Sequence, residues 1–416
     1  MLDIELIRTE PEKIRQALTA RNLKPNVVDD FLAVDGEWRQ AMKEGEVFRA
    51  ELNKLSKERK VDEAKAVKEK LKKAEADLPE LEKKRDALLD KFPNVSDPKW
   101  PVGKNADDNK VLRTVGEKPV FDFTPKDYLT LGKELSLIDI ERASKVVGTR
   151  FGYIMGDLVL MEFALVQLAM ETLLKEGFIP VLPPVMLKPE VYRAIGRLAH
   201  DQELERYRLA EDDLFLAGSS EHTLVPMHMD EVMEEKALPR RYAGFSTCFR
   251  REAGSYGKDT KGILRVHQFD KVEMISFTKP EDSEKEHQFL LSLQEKLMKA
   301  LELPYQVVQN CTGDMGWTDY AQYDIEAWIP SEQKYRETQS CSNTTDFQTR
   351  GANIKIKANS SKLKPIYAHA LNATGIAMAR TLIAIIENYQ TKKGTVMIPK
   401  ALQKYCGKKE IASRNS

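Results

Sequence analysis

Residues 31 to 92 carry two heptad registers in succession, and no other feature narrows so far what this chain can fold into. The first register takes Phe31, Val34, Trp38, Ala41, Gly45, Phe48, Leu52 and Leu55, broken only at Gly45. The second takes Ala64, Val67, Leu71, Ala74, Leu78, Leu81, Arg85, Leu88 and Phe92, with Arg85 the exception. Each apolar seam needs a partner helix. The interval from Ser56 to Glu63 is short and polar, which predicts an antiparallel helical hairpin over about 27–92, an arm projecting roughly 40 Å at ~1.5 Å per residue. From Lys54 to Lys73 there are nine Lys/Arg against four Asp/Glu. That excess makes Lys54, Lys57, Arg59, Lys60, Lys68 and Lys72 candidates to meet nucleic-acid phosphates. Taken alone, the same stretch also suits a solvated or a homodimerising coiled coil.

After the hairpin, FPNVSDPKWPVGKNADDNK is rich in Pro, Asn and Asp and has no apolar period, so it reads as a linker. The predicted domains are 1–105 and 106–416, in keeping with a chain of 416 residues that exceeds one hydrophobic core. Lys+Arg and Asp+Glu are equal at 65 each, so a polyanion would have to be met by a local patch and not by a global field. Cys248, Cys311, Cys341 and Cys406 lie far apart with no CxxC pair, which argues for a reducing compartment and against a zinc ribbon. The amphipathic, charged first residues and the lack of any run of about 18 apolar residues predict a cytoplasmic protein without a membrane anchor.

From Phe121 onward, helical stretches alternate irregularly with β-rich runs such as ILRVHQFDKVEMISF. With no βαβ rhythm, the expectation is an α+β domain: an antiparallel sheet flanked by helices. A P-loop is excluded at GSYGKDT, because Glu252 stands where its first Gly is required, and no GxGxxG follows a strand. Three segments instead place charges inside apolar elements, where burial is costly unless they are paired. In the first, a single strand over 263–277 would set Arg265, Phe269, Lys271 and Glu273 on one face, with Arg250 and Glu252 sharing a face of the preceding strand. The loop between them, AGSYGKDTKG, has the glycines and lysines of a flap over phosphates. In the second, YRETQSCSNTTDFQ, Glu337 and Ser340 offer oxygens to Mg²⁺. In a regular strand they would face opposite sides, so a bulge is required if they share an ion. In the third, Gly375 to Tyr389 reads as an apolar helix interrupted by Arg380, which calls for a carboxylate partner or a phosphate.

Together these segments resemble the three motifs of class II aminoacyl-tRNA synthetases, and among them the seryl-tRNA synthetase family of the bacterial and eukaryotic type. EGFIPVLPPVM resembles motif 1, with Pro183 or Pro184 at a dimer interface. FRREAGSYGKDTKGILRVHQFDKVE resembles motif 2 and LNATGIAMARTLIAIIENYQ motif 3, while the basic-tipped hairpin is similar to the arm this family lays on serine tRNA. The resemblance implies a serine–tRNA ligase that uses ATP and Mg²⁺, acts on tRNA(Ser) with tRNA(Sec) a further candidate, and forms a homodimer. It places Arg250 on the α-phosphate, Glu252 on the adenine amino group, Phe269 against adenine, and Arg265 and Arg380 on the outer phosphates. Arg251, Val266, Thr338 and Gln339 would be neighbouring ATP contacts, and Glu337 and Ser340 would carry the metal. Arg250, Glu337 and Arg380 are the implied catalytic residues. Serine would sit among Ser219, Ser220, Glu221, Arg250, Glu273, Asn372 and Thr374. The family's usual Thr-x-Glu is here Ser219-Ser220-Glu221, which keeps the hydroxyl and loses a methyl. The Cys/Glu/Cys set of zinc-dependent members has no counterpart in the sequence, so no zinc is expected. The alternatives are an adenylate-forming paralogue that loads another carrier, a synthetase for another amino acid, and a non-catalytic tRNA-binding protein.

Overall fold

The computed structural model describes residues 1–199, 202–253, 261–357 and 364–413. Most of the expected flap AGSYGKDTKG therefore lies outside the described residues. Two compact units emerge, Met1–Val95 and Ser96–Ser416. Residues 96–105 fall in the second unit, where Asp97 N–H donates to the Tyr320 carbonyl at 2.8 Å and Trp100 Nε1 to that of Gln322 at 3.1 Å.

In the first unit, α1 (Ile4–Thr9) and α2 (Pro11–Ala20) precede α3 (Val27–Lys57), α4 (Val61–Ala76) and α5 (Leu78–Leu89). The hairpin is real and turns at residues 58–60, where Arg59 adopts φ +58°. Its return limb is broken at Asp77, because Pro79 opens α5 and cannot donate to the preceding turn. Both heptad exceptions have a physical reason. Gly45 is buried facing the opposite helix, where a Cβ added to it would lie 4.0 Å from the side chains of Leu71 and Glu75. The Arg85 guanidinium lies 4.1 Å from the Trp38 ring centroid, so its cation faces an aromatic surface in place of an aliphatic knob. Lys54, Lys57, Arg59, Lys60, Lys68 and Lys72 are all exposed, with Lys60 paired to Glu58 at 3.0 Å.

The second unit is built on an eight-stranded sheet. In chain order its strands are β1 (Lys110–Val115), β2 (Ile179–Val181), β3 (Arg240–Phe249), β4 (Gln268–Thr278), β5 (Tyr305–Gln309), β6 (Ala321–Ile329), β7 (Lys334–Asn343) and β8 (His369–Ala377). Their spatial order is β1-β5-β6-β7-β8-β4-β3-β2, antiparallel throughout except for β2 beside β3. One face buries Val272, Met274, Ile325, Cys341, Leu371 and Ala373 in a core shared with α6 (Asp157–Lys175), α7 (Ser283–Ala300) and α8 (Met378–Asn388). By the two-residue period the other face carries Lys271, Glu273, Ser340, Ser342, Asn372 and Thr374.

Two expected spans differ. Residues 263–267 precede β4, which starts only at Gln268, and β3 ends at Phe249, so Arg250 and Glu252 lie beyond its end. Gly375 to Ala377 continue β8, and the helix begins at Met378. Gly375 sits at a register shift against Val272 and Glu273, where an added Cβ would come within 3.2 Å of the Val272 carbonyl oxygen.

Within the first unit, Asp35 is fully buried between Arg8 at 2.7 Å and Arg39 at 3.0 Å. Burial alone would raise its carboxyl pKa, but the two guanidiniums outweigh burial and hold it below the usual range. Its contribution to stability is therefore complete above the ordinary carboxylate pKa of about 4 and is lost as pH falls through the lower folded value. Chemical denaturation is expected to show Asp35→Asn less stable than the native protein by about 2 kcal/mol at pH 7, after allowing for the exposed Arg39, with the gap closing in acid.

Candidate active site

The polar face of the sheet opens into a cleft of about 580 Å³. Three buried or half-buried charge pairs line it; two of them join elements distant in sequence, and the third, Lys271 with Glu273, lies within one strand. At one end, Glu221 follows the strand Leu214–Leu216 and opens a one-turn helix. Its carboxylate accepts from Arg197 Nη2 at 2.7 Å and from Gln348 Nε2 at 2.7 Å. Burial would raise its pKa, but Arg197 prevails and keeps it below the usual range. Next, Glu273 on β4 meets Lys271 Nζ at 2.5 Å, and Thr374 Oγ1 on β8 donates to it at 3.4 Å. Here burial dominates, and the Glu273 pKa is raised despite Lys271. Asn372 Nδ2 is buried beside them on β8 with no hydrogen-bond partner among the described residues.

At the other end, Arg380 in the first turn of α8 lies 3.1 Å from Glu337 and also donates to the Glu337 carbonyl at 2.9 Å. Its charge, first among the causes, holds the Glu337 carboxyl below the usual range. The parity problem posed by Glu337 and Ser340 is solved as the sequence requires. Ile325 pairs with Gln339 but Glu326 with Glu337, so Thr338 is an extra residue on β7. Glu337 and Ser340 both line the cleft as a result. Asp324, opposite Ser340 on β6, is pushed well above its usual pKa by burial and then by the Glu337 charge.

The mouth comes from residues flanking β3 and β4. Arg250 donates through Nε to the Gly218 carbonyl at 3.1 Å, and its guanidinium sits 5.2 Å from the Phe269 ring centroid. Its backbone pairs with that of His267, which compensates for the missing strand: Arg250 N–H donates to the His267 carbonyl at 2.9 Å. Glu252, at φ +52°, binds Arg265 at 2.6 Å.

Of the residues expected at the site, Glu221, Arg250, Glu252, Arg265, Val266, Phe269, Glu273, Glu337, Thr338, Ser340, Asn372, Thr374 and Arg380 line one cleft. Four do not. Ser219 is buried and its Oγ accepts from Glu221 N–H at 3.2 Å. Ser220 Oγ is turned to Ser246 Oγ at 2.8 Å. Arg251 is exposed, and Gln339 donates from the opposite side of β7 to the Gly375 carbonyl. The sequence reading missed Arg197, Arg206 and Gln348. Arg197 and Gln348 owe their place to Glu221, 24 and 127 residues away, a link no local pattern reveals.

The Arg197–Glu221 pair permits a direct test. Arg197→Leu strands a buried carboxylate and is expected to cost about 3 kcal/mol in denaturant unfolding, while Arg197→Leu with Glu221→Leu recovers at least half of that loss.

Comparison with known proteins agrees with this geometry. The seryl-tRNA synthetase N-terminal domain family matches residues 1–96, and the tRNA synthetase class II core domain family (G, H, P, S and T) matches residues 204–389. A serine–tRNA ligase of Dictyoglomus turgidum is 41% identical over 423 residues, covering 99% of each chain. The crystal structure of seryl-tRNA synthetase from Pyrococcus horikoshii complexed with ATP superposes with a TM-score of 0.93 at 39% identity, covering 99% of this chain and 100% of that one. A cytoplasmic serine–tRNA ligase from Naegleria fowleri in complex with AMP gives 0.90 at 33%, covering 100% and 99%. With its helical arm, its antiparallel sheet and its charged cleft matched along their whole length, the chain belongs to the seryl-tRNA synthetase family.

Proposed function

We propose that this chain is a serine–tRNA ligase that activates serine with ATP to seryl-adenylate and transfers the seryl group to the 3′-end of tRNA(Ser). The observation that carries the reading is the Glu273 end of the cleft. A carboxylate only 1% exposed, a threonine hydroxyl and an unpartnered amide donor converge there, a set able to satisfy an ammonium and a hydroxyl at once.

In the first step the serine carboxylate attacks the α-phosphorus and pyrophosphate leaves. Negative charge on the phosphoryl oxygens then needs fixed cations more than a general base. Arg250, aimed by the Gly218 carbonyl, meets the α-phosphate, and Arg265 and Arg380 meet the outer phosphates. Phe269 offers a stacking face to adenine and Glu252 an acceptor for its amino group. Glu337 and Ser340 present two oxygens from one side of β7, a donor set suited to Mg²⁺, which when bound neutralises phosphate charge. In the second step the terminal ribose hydroxyl of tRNA attacks the adenylate. The exposed lysines and Arg59 at the arm tip supply cations for the tRNA backbone, and tRNA(Sec) is a further substrate on the same contacts.

The reading extends to a homodimer. Leu160, Phe163 and Leu174 of α6 are 47, 61 and 51% exposed, and Leu182 beyond the edge strand β2 is 80% exposed, an apolar surface that suits a second copy. No described helix is long and apolar enough to cross a membrane, and a cytoplasmic location accords with the function.

Amino-acid-dependent ATP–pyrophosphate exchange across all twenty amino acids is expected to proceed with serine. Alanine should lag by about 10⁴-fold in kcat/KM, because it brings no hydroxyl to the polar groups of Glu273, Thr374 and Asn372 that are buried there. A zinc-selective chelator followed by Mg²⁺ alone should leave the rate intact. Charging of tRNA(Ser) should fall at least 100-fold without residues 31–92, while serine exchange persists. Exchange without any charging by the full chain would instead identify a carrier-loading paralogue.

A further inference from the structure

At the amino-acid end of the cleft Arg197 and Lys271 are paired with Glu221 and Glu273 and Arg250 serves the reaction described above, but Arg206 stands there without a role. Arg206 lies beside Gly218, where an added Cβ would meet its Nη1 at 3.1 Å, on the residue whose carbonyl orients Arg250. Its guanidinium carbon is 5.4 Å from the Tyr192 ring centroid. The side chain lines the cleft, only 9% of the residue is exposed, and among the described residues its Nε has no hydrogen-bond partner.

Among the described residues no carboxylate pairs with Arg206. Glu221, whose charge reaches it, is occupied by Arg197 and Gln348. The Tyr192 hydroxyl donates to His222 Nδ1 at 2.6 Å, and the same nitrogen accepts from Gly218 N–H at 3.0 Å. His222 is thereby held as a neutral ring with Nε2 protonated, and burial lowers its pKa far below the usual value. Burial also lowers the pKa of Arg206, and Arg250 and Arg197 add repulsion. A residue that merely covered Tyr192 would not need this charge, because an unpaired buried cation is costly. An anion arriving in the cleft would relieve both the desolvation and the repulsion.

The chemistry supplies such an anion. Activation requires a carboxylate and an α-phosphate, both negative, to approach bonding distance. Arg250 has its Nε committed to Gly218 and only its terminal N–H groups left for both partners. The cations expected to serve the outer phosphates, Arg265 and Arg380, belong to the other charge pairs, with Glu252 and Glu337. We propose that Arg206 is a second substrate-binding cation, which takes the carboxylate of the amino acid and leaves Arg250 to the α-phosphate. This assignment rests on the serine–tRNA ligase reading.

The test uses the full chain in serine-dependent pyrophosphate exchange, with serinamide, which lacks the carboxylate charge, as a competitive inhibitor. Absence of exchange by the unmodified protein would defeat the ligase reading itself. Given exchange, Arg206→Gln is expected to raise KM for serine about 10- to 100-fold, the scale of one charged hydrogen bond, with KM for ATP changed less than twofold. Arg206→Lys should recover part of the loss, and the inhibition constant of serinamide should stay within twofold in both variants. An unchanged KM for serine would overturn the proposal, as would serinamide binding that weakens in parallel or an effect that falls on ATP instead. Melting curves showing both variants unfolded would assign Arg206 to packing and would overturn it too.

Discussion

Ionised side chains do not enter a protein interior unless opposite charge or a hydrogen bond meets them there, and the catalytic unit is organised by that requirement. Arg197 with Glu221, Lys271 with Glu273, and Arg380 with Glu337 are pairs set into or against a sheet whose other face packs a largely apolar core. The first and third pairs tie segments that the chain order separates, and the second lies within β4 and meets Thr374 of β8. The cleft therefore exists only when the sheet has closed, and its electrostatics are a consequence of the register. Where attraction prevails, as at Glu221 and Glu337, the carboxyl is held ionised; where burial prevails, as at Glu273, its pKa rises. The same fold thus provides carboxylates of different proton affinity within one cavity.

Two of the register shifts in the sheet serve the cleft. The extra residue Thr338 on β7 brings Glu337 to the side already occupied by Ser340, with Thr338 Oγ1 donating to the Ile325 carbonyl at 3.1 Å. On β8 the shift at Gly375 lets Thr374 stand opposite Glu273 while Ile376 remains in the helix-facing core. In strictly regular strands Glu337 would point into hydrocarbon and Ile376 into the cleft. The bulges are what allow a single sheet to act as core on one face and as a charged surface on the other.

Much of this was legible in the sequence, for reasons that vary with the residue. The hairpin follows from periodicity, since the 3.5-residue repeat outlasts its two exceptions. Parity requires a bulge near Glu337 if it shares an ion with Ser340, although the position of the extra residue at Thr338 is not readable from it. The two misplaced boundaries share a cause: near Arg265 and near Gly375 the apolar pattern runs on through a change of backbone conformation, so composition overextends one strand and starts one helix three residues early. Pro79 was a readable break that the heptad count passed over. Ser219 and Ser220 are singled out by residue type, and their hydroxyls meet Glu221 N–H and Ser246. Arg197 and Gln348 gave no local signal, because their meaning lies in Glu221, which the chain brings to them only by folding.

The central claim is that the cleft is complementary to seryl-adenylate and reads the serine hydroxyl. Calorimetric titration of the full chain with a non-hydrolysable seryl-adenylate analogue, beside its alanyl counterpart, addresses that claim most directly. The account predicts saturable one-site binding of the seryl analogue, with the alanyl analogue weaker by at least about 100-fold for loss of the hydroxyl's buried partners. Equal affinity for the two analogues, or no binding of either, would contradict it.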